Sequence, residues 1–378
     1  MRKLVFNIVA ILCAVNLHNS LAGSASYAKD YEKVIRKEFA IVESGEVIIK
    51  NRYGKVNVNT TGGNEVVIEV TIKVDKGNED DAQEFFDKVI INFNNSRSEV
   101  SARTEIGKQK KSSWTSWLNP KNWNNSNNYS VNYEVWMPAT CKLDLTNKYG
   151  DIAVGDIEND VRLELKYGDG ILEDIDGDLE LDLGYGDIKL GAVNDVELDI
   201  KYGEFKCKSS RDVDCDSKYS KIHINKARKL VSDTGYDDFF LGEIETLINE
   251  GHYDDFVIEY VDQINFDSKY SDYVIEEMGS GGVFNSNYGD LNVKKVNGLS
   301  RGLDIEGSYS DVLLRMNIPF NINLDSKYTD VNIPKDLEYK TRIRDGNKES
   351  IEAKRGNSTS NNIEVEMRYG SFNIKPGY

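Results

Sequence analysis

The sequence predicts an all-β fold, a parallel β-solenoid or β-helix built from coils 17 or 18 residues long, with an N-terminal α+β insertion. Two observations predict it. Tyrosines recur at 149, 167, 185, 202, 219, 236, 253, 270, 288, 309 and 328, mostly 17 or 18 residues apart, and outlying copies at Tyr53 and Tyr369 bring the number to 13. Around them apolar residues alternate with polar ones, six and four before the tyrosine (Leu179 and Leu181, Ile363 and Val365) and three and five after it (Ile188 and Leu190, Val331 and Ile333). Period-two alternation on both sides of a tripeptide such as Tyr185-Gly186-Asp187 means two short strands, each with one inward face, joined by a turn. A single coil cannot bury its apolar face, whereas coils stacked about 4.8 Å apart pair each strand with its equivalent and build a continuous core. A propeller blade would need about 40 residues and four strands. The five prolines of the chain leave strand ladders free to run uninterrupted.

Taken in order, residues 1–28 read as a secretory signal peptide: Arg2 and Lys3, an apolar run from Leu4 to Leu17, and small residues before a cut after Ala25 or Ala28. Leu12 is too bulky for a lipoprotein cut before Cys13. Residues 29–59 hold a lead-in and the first coil, around Tyr53. Residues 60–140 interrupt the period. There Ile68, Val70, Ile72 and Val74 alternate as a strand, Asn78 with Asp81 resembles a helix start, and Ala82, Phe85, Phe86, Val89 and Ile90 fall on one helical stripe. Two more strands are expected, around Val100 and over 129–138, so that the insertion covers one end of the solenoid. Between them a Ser/Asn-rich loop concentrates Trp114, Trp117 and Trp123. Three tryptophans in a polar loop point to stacking on sugar faces or anchoring of a protein partner, the alternative being burial against the solenoid end. Residues 141–378 are the repeated coils.

Composition narrows the function classes. The formal charge of −17 becomes −19 once Arg2 and Lys3 leave with the signal, which disfavours nucleic acid and anionic lipid as partners. No later stretch reaches the apolar length of a membrane span, so the chain is expected to be secreted across the inner membrane, to the periplasm or the cell surface. Cys141, Cys207 and Cys215 remain after the signal, an odd number that excludes a disulfide scaffold. Cys207 and Cys215 occupy positions that are aliphatic in other coils and read as core residues, with a bridge between them as the alternative.

The turn tripeptide carries the charge. A Gly, Ser, Asp or Thr follows the tyrosine, as expected where backbone angles are unusual. Next comes Asp or Glu in most copies, for example Asp187, Glu204, Asp272 and Asp290, and a basic residue such as Lys201, Lys218 or Arg368 often precedes the tyrosine. Stacking turns these into an acidic column relieved by a basic one beside it. Carboxylates repeated along a stack read as turn architecture, because catalysis needs one or a pair. Asp237, Asp238, Asp254 and Asp255 cluster in adjacent copies without the preceding lysine, which makes a weak Ca²⁺ site conceivable there and a solvated acidic patch the plainer alternative.

The leader, the stretch from Ile49 to Thr60, the insertion, the stretch from Glu134 to Val154 and the serial coils together resemble the bacterial putative-adhesin domain family, whose function is unknown. The resemblance covers nearly the whole mature chain and implies a β-solenoid at or beyond the envelope. It brings no active site to carry over. The expected function is therefore a non-catalytic extracytoplasmic binding or scaffold protein with a glycan or envelope protein as partner. The alternative is a carbohydrate-active enzyme, a polysaccharide lyase or hydrolase on a β-helix; against it, His223 and His252 are the only histidines after the signal, and no acidic pair stands out from the periodic background.

Overall fold

The computed structural model describes residues 29–107, 129–358 and 360–377. The leader and the segment with Trp114, Trp117 and Trp123 lie outside them. The chain divides into two compact units, one through Gly177 and one from Asp178, and each is built on parallel β-solenoid coils.

In the first unit, coils fold about two parallel ladders. On one, β2 (Glu46–Lys50), β8 (Lys142–Asn147) and β10 (Val161–Lys166) lie side by side; on the other, β3 (Val56–Thr61), β9 (Ile152–Val154) and β11 (Gly170–Leu172) do so. The insertion supplies one further coil. Its strands β6 (Glu99–Ile106) and β7 (Tyr129–Pro138) pair in parallel with β2 and β3 respectively. Antiparallel strands extend both ladders, β4 (Glu65–Lys76) on β7 with β1 (Lys29–Ala40) beyond it, and β5 (Val89–Asn95) on β6.

The helix α1 (Glu79–Lys88) begins at Asn78, whose side chain accepts the Asp81 N–H at 2.9 Å, as the sequence predicts. It buries Ala82 and Phe86. Val89 and Ile90, expected on its stripe, instead open β5, and Ile90 is exposed. The β-branched run Val89-Ile90-Ile91 finds an antiparallel partner in β6, which outweighs one more turn of helix.

In the second unit, β12 (Leu179–Gly184) is followed by strands that each trace a full coil: β13 (Asp187–Lys201), β14 (Glu204–Lys218), β15 (Lys221–Gly235), β16 (Asp238–His252), β17 (Asp255–Lys269) and β18 (Asp272–Asn287). Pairing is parallel and in register at 17 residues, as in Asp187↔Glu204 and Phe239↔Phe256. The 18-residue copy is absorbed by a bulge in which Gly279 and Ser280 oppose the single residue between Val261 and Gln263, and pairing resumes at Gly281 (φ 99°) and Gly282 (φ 138°). Inward positions form a core in which Phe205, Phe239, Phe256, Phe266 and Phe284 are fully buried, and Cys207 and Cys215 are buried free thiols within it.

The chain order breaks at the end. After β19 (Leu291–Val296), β20 (Leu303–Met316) and β21 (Phe320–Asn332), the antiparallel strands β22 (Glu338–Asp345) and β23 (Lys348–Arg355) fold onto β21, and β24 (Asn362–Lys375) returns between β20 and β21, parallel to both. The last coil is therefore next to last in space. The edge strand β22 carries Lys340, Arg342 and Arg344, a charged edge that resists further pairing. Buried Glu349 is held by Arg342 and Arg344 at 2.9 and 2.7 Å, and those two cations hold its carboxyl below the usual range against the opposing effect of burial.

Candidate functional site

The recurring corner is the feature that the whole sequence pattern serves. At eleven copies, from Tyr167 to Tyr369, the tyrosine itself adopts the left-handed conformation, with φ between 55° and 64°. The sequence pattern places the unusual angle on the residue after it. At Tyr53 and Tyr149 the positive φ passes instead to Gly54 (122°) and Gly150 (141°), and at Tyr369 it is shared with Gly370 (122°). A left-handed non-glycine residue costs about 1–2 kcal/mol, so something must hold each tyrosine there.

The main chain supplies part of it. The tyrosine N–H bonds forward to the next coil, as Tyr185 to the Lys201 carbonyl at 3.0 Å and Tyr253 to that of Lys269 at 3.0 Å. Two residues later the N–H bonds backward, as Asp255 to Asp237 and Asp272 to Asp254, each at 2.9 Å. The N–H between them is left out of the main-chain ladder, and in three successive corners a side chain from the following coil takes it. Ser220 N–H is accepted by Asp237 Oδ1 at 2.7 Å, Asp237 N–H by Asp254 Oδ1 at 3.0 Å, and Asp254 N–H by Ser271 Oγ at 3.1 Å. Small oxygen-bearing residues follow the tyrosine because a buried donor needs them.

Volume explains where glycine takes over. The side chain two before the tyrosine points into the same corner as the one after it. Large residues meet glycine there (Leu183 with Gly186, Ile200 with Gly203, Met367 with Gly370), whereas small ones meet oxygen (Ser217 with Ser220, Thr234 with Asp237, Gly251 with Asp254, Ser268 with Ser271, Gly307 with Ser310). Ser286 with Gly289 is the exception. At Gly251 a Cβ would collide with Thr234 Oγ1 and Asp254 Oδ2, so the carboxylate occupies the space that the glycine leaves.

This geometry separates the four aspartates of the acidic cluster. Consecutive residues point to opposite sides of the chain, so Asp237 and Asp254 lie inside, 2 % and 1 % exposed, while Asp238 is partly exposed and Asp255 exposed on the outer face. Asp237 also accepts from Ser217 Oγ and the Gly235 N–H, both at 2.9 Å, and Asp254 from Thr234 Oγ1 at 2.7 Å. Burial raises the Asp254 carboxyl to about 6 and pushes Asp237 upward too. Among the described residues, no group of three or more His, Cys, Asp or Glu side chains is placed to hold a metal ion. Behind the two aspartates a polar network that the sequence pattern did not reveal continues inward: Asn249 accepts from Ser232 at 2.7 Å and from Thr234 at 3.1 Å and donates to the buried Tyr273 hydroxyl at 3.1 Å. Its only signal in the sequence was polarity at Ser232 and Asn249, positions that other coils fill with Leu198, Cys215 or Phe266.

The outer carboxylates two after the tyrosine act as caps. Asp187, Asp272 and Asp290 accept the N–H of their equivalents in the next coil, Glu204, Asp290 and Asp311, at 3.0, 2.9 and 2.8 Å. The basic residues before the tyrosine do not pair with this column in the way the sequence suggests. Lys201 pairs with Asp199 at 3.0 Å and Arg368 with Glu366 at 3.1 Å, each two residues back along its own strand. Backbone donors relieve Asp187, Asp272 and Asp290, while Asp151 and Glu204 pair with Lys55 and Lys206 at 3.0 and 2.7 Å, neither of them the base before a tyrosine.

The tyrosine rings form the outward face of the corner. In the second unit ten of them stack in the order Tyr185, Tyr202, Tyr219, Tyr236, Tyr253, Tyr270, Tyr288, Tyr309, Tyr369, Tyr328, with centroids 4.6–5.1 Å apart and planes within 10°. In the first unit Tyr53, Tyr149 and Tyr167 stack at 5.2 Å, and Tyr129 meets Tyr53 edge-on. His252, which replaces the usual lysine, packs edge-on between Tyr236 and Tyr253. Stacking supplies the remaining compensation for the left-handed backbone.

No family model and no curated protein matches the chain. Among solved structures it is similar to a "putative cell adhesion protein" from Clostridium sporogenes (14 % identity over 91 % of this chain and 100 % of that one, TM-score 0.18). It is also similar to a "putative adhesin" from Bacteroides fragilis (14 %, 64 % and 96 %, TM-score 0.35) and to one from Parabacteroides distasonis (10 %, 75 % and 93 %, TM-score 0.33). At these values the solenoid assignment rests on the strand register of this chain alone. No helix among the described residues is long and apolar enough to cross a membrane.

Proposed function

We propose that the protein is a non-catalytic, adhesin-like binding or scaffold protein that works outside the cytoplasm, its coils holding a repeated surface in fixed register. The observation that carries this reading is the tyrosine column: ten side chains in the second unit, each 41–52 % exposed, mounted on a backbone hydrogen-bonded from coil to coil. The carboxylates beside it are engaged as caps, which supports display over acid–base chemistry. The apolar leader read in residues 4–17 supports export.

The test is a glycan array and an array of envelope proteins probed with the mature chain and with a Trp114/Trp117/Trp123→Ala variant, beside a polysaccharide panel assayed for new reducing ends and unsaturated products. Binding without cleavage is the expected result. Loss of binding in an equally stable variant would place a contact in the tryptophan segment. Cleavage of any polysaccharide, abolished by a single Asp→Asn change, would replace this reading with the enzyme.

A further inference from the structure

We propose that the tyrosine column of the second unit is a binding site for a neutral, extended, β-linked polysaccharide lying along the stack, one sugar ring per rung. The proposal rests on the binding reading above and names its ligand and surface. Because both faces of each interior ring are covered by its neighbours, the exposed half of every tyrosine is its C–H edge and its hydroxyl. Stacking needs only the ring. Yet among the described residues the hydroxyls of Tyr202, Tyr219, Tyr236, Tyr253, Tyr270 and Tyr288 make no hydrogen bond, and the same holds for Tyr309, Tyr369 and Tyr328. With roughly 200 Å² per tyrosine, half exposed, the ten rungs present on the order of 1,000 Å² of continuous aromatic edge, beyond the few hundred Å² usual for the largest patch of a monomer.

The spacing selects the ligand. Rungs 4.6–5.1 Å apart are fixed by the strand ladder and cannot adapt, so a partner that touches many of them must itself repeat at that pitch. An extended polypeptide advances about 3.3 Å per residue and falls out of step within two rungs. A nucleic acid is repelled by a chain of net charge −17. A pyranose in an extended β-linked chain advances by close to one rung and offers alternating C–H patches and hydroxyls, the complement of a phenol edge. Acids such as Asp272 follow most of these tyrosines and bases such as Lys269 precede half of them, a mixed charge that favours an uncharged polymer.

The experiment is calorimetric titration of the full mature chain with cello- and chito-oligosaccharides of two, four and six sugars, and with a Tyr219/Tyr236/Tyr253→Asn variant. Asparagine tolerates the left-handed region, so the corners keep their conformation while three phenols are removed. A Tyr→Phe variant at the same rungs keeps the stack and removes only the hydroxyls, so the test survives if the first variant melts early. We expect the wild-type Kd to fall several-fold with each added pair of sugars in at least one series. The asparagine variant should lose about tenfold on the hexasaccharide, and the phenylalanine variant, which keeps the stack, several-fold at unchanged melting temperature. A Kd independent of length, or a hexasaccharide bound equally by all three proteins, would overturn the proposal. If the array nonetheless shows a glycan or protein ligand, the binding function stands and its surface lies elsewhere; silence in both experiments removes the function as well as the site.

Discussion

Two stretches of the second unit solve the same corner in opposite ways. At Tyr185 and Tyr202 the corner is closed by Leu183 and Ile200 over Gly186 and Gly203, an apolar filling with no side-chain oxygen. At Tyr236 and Tyr253 it is closed by Asp237 and Asp254 over Thr234 and Gly251, two buried carboxylates in adjacent coils. The tyrosine backbone hardly differs, with φ of 58° and 59° in the first pair and 64° and 62° in the second. The turn is thus specified by its volume and its backbone ladder, and the chemistry inside it is free to vary as long as both side chains change together.

The largest expected effect comes from mixing the two solutions. In Gly203→Asp the new Cβ collides with the Gly186 carbonyl, and the carboxylate meets Ile200 with no donor set to receive it. A loss of about 4 kcal/mol or failure to fold is expected, read by denaturant unfolding. A tolerant Gly203→Asp would show that the corner has slack and that the pairing of sizes is incidental.

A double-mutant cycle sharpens the point. Gly251→Leu alone should cost about 3 kcal/mol through overlap with Thr234 and Asp254, whereas Gly251→Leu with Asp254→Gly rebuilds the apolar corner of Tyr202 and should recover at least about 1 kcal/mol of that loss. Additive penalties would mean that the two positions do not share the space.

The fold was legible because period-two alternation and a fixed repeat report the same quantity, the burial of one side of each strand in every coil. The capping function of the Asp272 column was legible in kind, since repetition argued for architecture. Other features were not, for physical reasons. That the tyrosine, and not the small residue after it, takes the left-handed angle depends on hydrogen-bond direction between coils, which no single coil displays. The inward and outward fates of Asp254 and Asp255 follow from alternation through the turn, but the turn interrupts the period by which they would be read. The placement of Tyr369 between Tyr309 and Tyr328 is a matter of topology: equivalent copies pair equally well in any order, and the β22–β23 hairpin decides.

The two fillings also differ in their response to pH. Asp254 has an ordinary value of 3.8 and about 6 in the fold, raised chiefly by burial, so the folded chain holds its proton more tightly than the unfolded chain does. Stability from this group is therefore greatest below pH 4, declines as pH rises toward 6, and stays lower above it, by up to about 3 kcal/mol at 1.36 kcal/mol per unit. Asp254→Asn should flatten that decline and raise the melting temperature at pH 7.5. Its amide can donate to Thr234 Oγ1, whose hydrogen is then directed wholly to Asn249, while its oxygen still accepts the Asp237 N–H. Parallel melting curves for the two proteins between pH 4 and 7.5 would show that Asp254 keeps an ordinary carboxylate affinity.

The smallest effects belong to the outer acids. Asp272→Ala removes the acceptor of the Asp290 N–H and should cost about 1 kcal/mol, less than Gly203→Asp or Gly251→Leu inside the corner, because water can reach the freed donor. Asp272→Asn keeps an oxygen there and should stay within about 0.5 kcal/mol of the parent. It also removes a charge that helps to raise the carboxyls of Asp255 and Asp290, so both should titrate at lower pH in carboxyl-resolved NMR even where the melting temperature does not move. Larger losses from asparagine than from alanine would contradict the capping account, since asparagine retains the acceptor and alanine does not.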